Sequence, residues 1–254
     1  TVDHTIFSWT HAATDWIYNT WLGSTLLYLS FQVLGGFGLW MIQWGVLIGV
    51  FLLIFLYARS VKVAITSKII VLLLLCVLPI VPSIMLYKPE LFSVFLFSAY
   101  LFIYFYGKIS NRNIFWLFPF LMILWVNLHG GFMFGLIFVS LITACETADY
   151  LLFKKNPLSQ KQLVVLIVAS GLTYLATLIN PYGISYLKSI YIIALSAEYS
   201  KLFSVLVAYK SLWGFLLPDS MNVLYTNHYM FKTGWCFIIL AVLLIVMIKK
   251  IYQS

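Results

Sequence analysis

Residues 37–57 read FGLWMIQWGVLIGVFLLIFLY, twenty-one positions without one charged side chain. A helix that crosses the hydrocarbon core of a bilayer takes about 20 predominantly apolar residues, and this stretch supplies them without interruption. A helix apolar on every face has no side to offer water and must be buried or sit in lipid. The rest of the chain follows suit. Its 254 residues are 63% hydrophobic and 9% charged, with a mean hydropathy of +1.03. A soluble domain carries about 25% charged residues, so ordinary globular packing is excluded. The sequence predicts an all-α integral membrane protein.

Six further runs read as spans: 69–87, 91–106, 114–128, 132–152, 163–179 and 234–248. The runs 91–106, 114–128 and 234–248 are short, so each must borrow flanking residues or sit in locally thinned bilayer. Pro79, Pro82 and Pro119 fall within helices, which membrane helices tolerate when neighbours satisfy the freed carbonyls. Residues 21–36, WLGSTLLYLSFQVLGG, are apolar but too short to cross, and fit an interfacial or re-entrant helix ended by Gly35-Gly36. The stretch 184–217 reads either as surface helices or as an extra helical hairpin. The expected fold is thus a bundle of about seven transmembrane helices with interfacial helices on the outer face. It divides into an outer loop and interfacial helix over 1–36 and a six-span core over 37–179. An outer loop over 180–233 and a last span with a cytoplasmic tail over 234–254 complete it.

Charge orients the bundle. One set of helix ends carries Arg59, Lys62, Lys68, Lys108, Arg112, Lys154, Lys155, Lys161, Lys249 and Lys250; the opposite set carries Lys88, Lys188, Lys201, Lys210 and Lys232. Cytoplasmic loops collect the excess of Lys and Arg, which puts the first set inside. Glu146 and Asp149 fall on that side, where Lys154 and Lys155 are their expected partners; the other five acids fall outside. The net charge of +8 is therefore a topology signal, and nucleic acid is not an expected partner, because no clustered basic module accompanies it. The expected location is the cell inner membrane, multi-pass, with the N-terminal segment extracytoplasmic and the C-terminus cytoplasmic. The chain opens on Thr1 and reads as processed or truncated at its start. Cys76, Cys145 and Cys236 are far apart in apolar runs, form no zinc or disulfide pattern and read as small buried hydrophobes.

With that orientation all four histidines, His4, His11, His129 and His228, lie on the outer side, so any active site is expected there. Two polar blocks punctuate outer helix ends: Trp125-Val126-Asn127-Leu128-His129-Gly130-Gly131 and Asn180-Pro181-Tyr182-Gly183. Their preceding helices are short, which recesses Asn127 and His129, and polar groups at that depth usually face a bundle interior or a watery cavity. Each block also has a plain structural reading. The NPYG block serves as a turn, and Gly131-x-x-x-Gly135 as a helix-packing surface. The N-terminal segment brings Asp3, His4, His11 and Asp15 among Ser and Thr. An acid there can serve as a general base or hold a divalent cation, or the segment is a solvated loop. No metal site follows from spacing, and no HExxH, Walker-A, GxSxG or CxxC pattern occurs.

The ordered blocks Asp3-x-x-x-Phe7-Ser8-x-Thr10, Trp16, Trp21-Leu22, Lys88-Pro89-Glu90-Leu91-Phe92-Ser93, Trp125-x-Asn127-Leu128-His129-Gly130-Gly131-Phe132, Asn180-Pro181-Tyr182-Gly183 and Glu198-Tyr199 resemble a group of bacterial membrane proteins. That group is similar to the GT-C superfamily of polytopic glycosyltransferases. The resemblance runs along roughly residues 3–200, and WxNLHGGF is its most specific element. It implies an extracytoplasmic active site beneath the first outer loop and a polyprenyl-phosphate sugar donor. Asp3 would then be the catalytic residue of the loop, as base or metal-associated group, and Asn127, His129, Asn180, Glu198 and His4 would bind substrate. Where the group carries an acidic DHEWL-like run, this chain has Tyr18-Asn19-Thr20-Trp21-Leu22, and Tyr199 stands where a Trp is expected.

Three functions are therefore carried forward. The first is a membrane glycosyltransferase working on a lipid-linked sugar. The second is a non-catalytic member of the same fold, kept as a subunit among other membrane proteins. The third is a transporter, disfavoured because no internal repeat with paired broken helices is evident.

Overall fold

A computed structural model describes residues 17–61, 87–153 and 158–195. These are helical, with no strand among the described residues. The chain divides into two compact units: Thr1–Ile65 with Ser83–Lys188, and Thr66–Pro82 with Ser189–Ser254. The described part of the first unit is a helical bundle; of the second, only 189–195, the end of one helix, is described.

Helix α1, Trp21–Leu34, ends at Gly35, and α2, Gly36–Ser60, begins at the next residue. This corner depends on glycine twice. Gly35 holds φ +61, a region closed to most side chains, and Gly38 lies so near the Ser30 carbonyl that a Cβ there would collide with it. Helix α1 carries no charge and buries only Gly23 and Leu27. Gly23 packs against the Leu128 carbonyl and Pro89, again without room for a Cβ. Fourteen residues rise about 21 Å at about 1.5 Å each, too little to cross a bilayer alone.

Helix α3, Glu90–Ser110, runs parallel to α2. Val46 clusters with Leu91, Gly49 faces the Phe95 ring, and the Tyr57 and Phe105 rings lie 5.8 Å apart. A 3-10 turn over Ile114–Trp116 leads into α4, Leu117–Leu128, which returns antiparallel. Gly107 meets Phe115 near one end, Tyr100 packs on Phe118 with ring centroids 4.8 Å apart, and Ser93 meets Trp125 near the other. Pro119 sits in the first turn of α4, where its missing N–H costs no hydrogen bond. Helix α5, Phe132–Ala148, continues as a π-helical turn over Asp149–Phe153. Helix α6, Gln160–Ala176, starts with a capping box in which Ser159 and Gln162 satisfy each other's backbone N–H groups. Thr143 and Ser170 share a 2.7 Å hydrogen bond between α5 and α6, and Ser140 bonds Tyr174. Helix α7, Ile184–Leu195, follows the NPYG turn.

Among the described residues, three helices are long and apolar enough to cross a membrane: Gly36–Ser60, Glu90–Ser110 and Phe132–Leu152. The surface agrees with lipid contact, since Trp40, Ile48, Phe120, Phe134, Leu141 and Leu175 are all exposed. Apolar patches on that scale are uncommon on soluble monomers. The expected run 69–87 (but for Tyr87), the run 234–248 and most of 184–217 lie outside the described residues. Several boundaries move, and the run expected at 37–57 spans Gly36–Ser60. The run expected at 91–106 extends to Ser110, and the run expected at 163–179 becomes α6, three residues earlier at both ends.

The packing gathers helix ends into two groups. Arg59, Lys108, Arg112 and Lys161 belong to one end of the bundle; Lys88 and His129 belong to the other, where α7 with Lys188 begins. At the Lys108 end the carboxylate of Glu146 is almost fully buried and pairs with Lys108 Nζ at 2.5 Å, while Tyr104 donates its hydroxyl proton to the same oxygen. Glu146 is thus held by Lys108 of α3; the expected partners Lys154 and Lys155 lie outside the described residues. Cys145, expected to be buried, is exposed on the apolar surface, a position lipid accepts as readily as a core does.

Candidate functional site

At the end of α4 the chain reads Trp125-Val126-Asn127-Leu128-His129-Gly130-Gly131 before α5 begins. His129 caps α4 in extended conformation and donates its backbone N–H to the Trp125 carbonyl at 3.1 Å. Its ring then folds toward α3. Ser93 Oγ lies 2.8 Å from His129 Nδ1, and the Gly131 backbone N–H donates to the same nitrogen at 3.0 Å. Trp125 Nε1–H in turn donates to Ser93 Oγ at 2.8 Å.

This geometry decides the tautomer. An amide N–H aimed at Nδ1 requires a lone pair there, so the ring proton of the neutral imidazole sits on Nε2. The Ser93 hydroxyl, its oxygen already accepting from Trp125, can donate to the same lone pair. Half-burial of His129 holds its pKa below the ordinary value, against a smaller opposing pull from the carboxylate of Glu90. Glu90 stands one helical turn before Ser93 on α3, so both face the same way.

Gly131 is a spatial requirement. A Cβ on it would lie 2.5 Å from Ser93 Oγ and 2.9 Å from His129 Nδ1. Gly135, one turn on, presses against the Trp125 ring, so the expected Gly131-x-x-x-Gly135 surface packs within this chain. Above the turn, a Cβ on Gly130 would approach the Asn19 amide at 3.2 Å, and Tyr186 donates its hydroxyl to the Asn19 carbonyl at 3.3 Å.

Asn127 turns the other way. Its Oδ1 accepts from Trp21 Nε1 at 2.9 Å, and its Nδ2 donates to the carbonyls of Ile123 at 2.7 Å and Ile179 at 2.8 Å. Both amide hydrogens are spent in joining α1, α4 and the end of α6. Asn180 forms the turn expected of NPYG: its Oδ1 accepts from the Tyr182 N–H at 2.9 Å, its Nδ2 donates to the Thr177 carbonyl at 2.7 Å, and Gly183 takes φ +52. Asn127 and Asn180 share one groove of about 650 Å³, otherwise lined by Trp21, Leu22, Phe120, Ile123, Leu124, Ile179 and Pro181. The groove is apolar along α4 and polar where the two amides meet it.

No family model, curated protein or solved structure matches this chain.

Of the residues expected at the site, Asn127 and Asn180 come together in the groove, and His129 joins α3 instead. Asp3, His4 and Glu198 lie outside the described residues. No cluster of three or more metal-ligating side chains occurs among the described residues. The sequence places Ser93, Trp125, Trp21 and Asn19 in motif blocks without assigning them a site role, and Tyr186 stands in none of those blocks. Ser93 and Glu90 share the KPELFS block, and their i, i+3 spacing is the one signal that marked them as a pair facing a common partner.

Proposed function

We propose that this chain is a polytopic membrane glycosyltransferase of GT-C type, taking a sugar from a polyprenyl-phosphate donor at the extracytoplasmic face of a bacterial inner membrane. On this reading the His129 end faces outward, the Lys108 end faces the cytoplasm, and about seven helices span. The observation that carries it is the groove between α1, α4 and the NPYG turn. Its walls are mostly apolar, the chemistry an isoprenoid chain needs, and two amides line it beside the NPYG turn. Asp3 is the proposed acid that deprotonates the acceptor hydroxyl, and an N–H donor such as His129 steadies a ligand oxygen. A divalent cation is compatible with the acid but not required by the reading. The test is sugar transfer from polyprenyl-phosphate donors by the full-length protein, with Asp3→Ala and Asp3→Asn alongside. Turnover lost in both variants is the expected result; unchanged turnover removes Asp3 from the chemistry.

A second reading has its own support. Asn127 has no amide hydrogen left for a ligand, Asn180 is occupied in its own turn, and the run Tyr18-Asn19-Thr20-Trp21-Leu22 lacks an acid. These features suit a non-catalytic subunit of a membrane complex. Purification in mild detergent separates the two: a stoichiometric partner supports the subunit, and an active lone chain supports the enzyme.

A further inference from the structure

His129 is the one histidine among the described residues, and its two ring nitrogens live in different worlds. Nδ1 is met by two groups, the Ser93 hydroxyl at 2.8 Å and the Gly131 amide at 3.0 Å. No hydrogen bond reaches Nε2 among the described residues. The Gly131 amide can only donate, so a proton on Nδ1 would face another proton and the pair would repel. The Ser93 oxygen accepts the Trp125 indole N–H at 2.8 Å, which turns its own hydrogen toward Nδ1. Four residues from α3, α4 and the Gly-Gly turn therefore converge on one outcome. The close approach is enforced, because Gly131 has no room for a side chain beside Ser93.

We propose that Ser93 is a positioning residue: with the Gly131 amide it fixes His129 as a neutral imidazole whose Nε2–H is a directed donor to an incoming ligand oxygen. Histidine alone would share its proton between the two nitrogens and offer a donor only part of the time. The relay removes that ambiguity before any ligand arrives, at no cost when it does. Glu90, one turn from Ser93, sets the character of the acceptor. Its carboxylate acts through space on the His129 ring, and its negative charge disfavours a phosphate oxygen and favours a neutral hydroxyl oxygen at Nε2. Lys88 and Lys188 are the other charged groups on the elements that meet this end; neither forms an ion pair with Glu90 among the described residues.

The inference rests on the reading above only in taking the His129 end as the working end. Its test uses no substrate, so a chain that transfers no sugar leaves it standing. Full-length protein labelled with ¹⁵N-histidine is placed in lipid nanodiscs, and His129 is assigned by its loss in His129→Gln. The expected spectrum shows Nδ1 as an unprotonated, lone-pair nitrogen and Nε2 as protonated. In Ser93→Ala the two forms mix, and Ser93→Thr, which keeps the hydroxyl, restores the single form. Trp125→Phe, which keeps Ser93 but frees its oxygen, gives an intermediate mixture. A protonated Nδ1 in the wild type, or a Ser93→Ala spectrum identical to it, overturns the assignment.

Discussion

The indole N–H of Trp21 donates to Asn127 Oδ1 at 2.9 Å across 106 positions of chain, and this single bond anchors the short helix α1 to the end of α4. The same amide holds the Ile179 carbonyl at 2.8 Å, so one side chain sets three elements around the groove. Removing it leaves an indole N–H and a carbonyl without partners in a site that is 8% exposed. Each such orphan costs about 1–3 kcal/mol. Asn127→Ala is therefore expected to lower the thermal midpoint in detergent more than Trp21→Phe, which deletes the indole and leaves two of the three bonds intact. Equal effects would show that the amide does not act as the hub.

Gly131 and Gly171 make a matched pair. A Cβ at 131 meets Ser93 and His129 within 3 Å, whereas a Cβ at 171 meets nothing within 4 Å. Gly131→Ala is expected to destabilise by about 1–3 kcal/mol, the usual cost of overpacking. Gly171→Ala, inside α6, is expected to be neutral or to stabilise by up to about 1 kcal/mol. Denaturant-induced unfolding of both variants in the same micelle reads the contrast directly.

At the other end, Glu146 is buried and Lys108 keeps partial access to water, with side-chain exposures of 3% and 30%. Glu146 Oε2 has no hydrogen-bond partner among the described residues, where the carboxylate depends on Lys108 and Tyr104. Lys108→Met strands the charge and is expected to cost about 3 kcal/mol, the low end for a half-broken buried pair. Adding Glu146→Leu to Lys108→Met removes the stranded charge and is expected to recover most of the loss. A double variant no better than Lys108→Met would contradict this account of the pair.

Acid should loosen the His129 end. Burial holds the folded imidazole below its ordinary pKa, so the unfolded chain takes up the proton first and acid favours unfolding. The stability supplied by the neutral ring is complete above about pH 6.5, the unperturbed value, and is lost as pH falls through the window below it. Thermal midpoints measured over that range should fall more steeply in the wild type than in His129→Gln. Parallel slopes would mean that His129 does not carry the pH dependence.

Much of this was legible in the sequence. The uncharged run 37–57 became α2, and the block from Trp125 to Gly135 was recognised as a polar turn with a glycine packing surface, because composition and spacing are local facts. Boundaries drawn from apolar runs alone moved. The expected end of α3 at 106 stopped where the apolar run meets Gly107 and Lys108, four residues short of Ser110. In the fold Gly107 receives the Phe115 ring and Lys108 meets Glu146, so the helix continues. The start of α6 was written in Ser159-x-x-Gln162, a capping signal that a hydropathy count does not see. What the sequence could not carry is pairing at long range. Nothing in the spacing of Asn127 names Trp21 or Ile179 as partners, and nothing in His129 names Ser93. The same run of residues fits a ligand-binding amide and a structural one, and only the positions of its neighbours separate them.

The account turns on which end of the bundle faces out, because the proposed chemistry and the His129 donor both belong to one end. Single cysteines at Lys88 and Arg112, both exposed and at opposite ends, report this in a background with Cys76, Cys145 and Cys236 replaced by alanine. Intact cells are treated with a membrane-impermeant maleimide before and after permeabilisation. The account predicts that the cysteine at 88 is labelled in intact cells and the cysteine at 112 only after permeabilisation. Labelling of 112 in intact cells with 88 protected would contradict it.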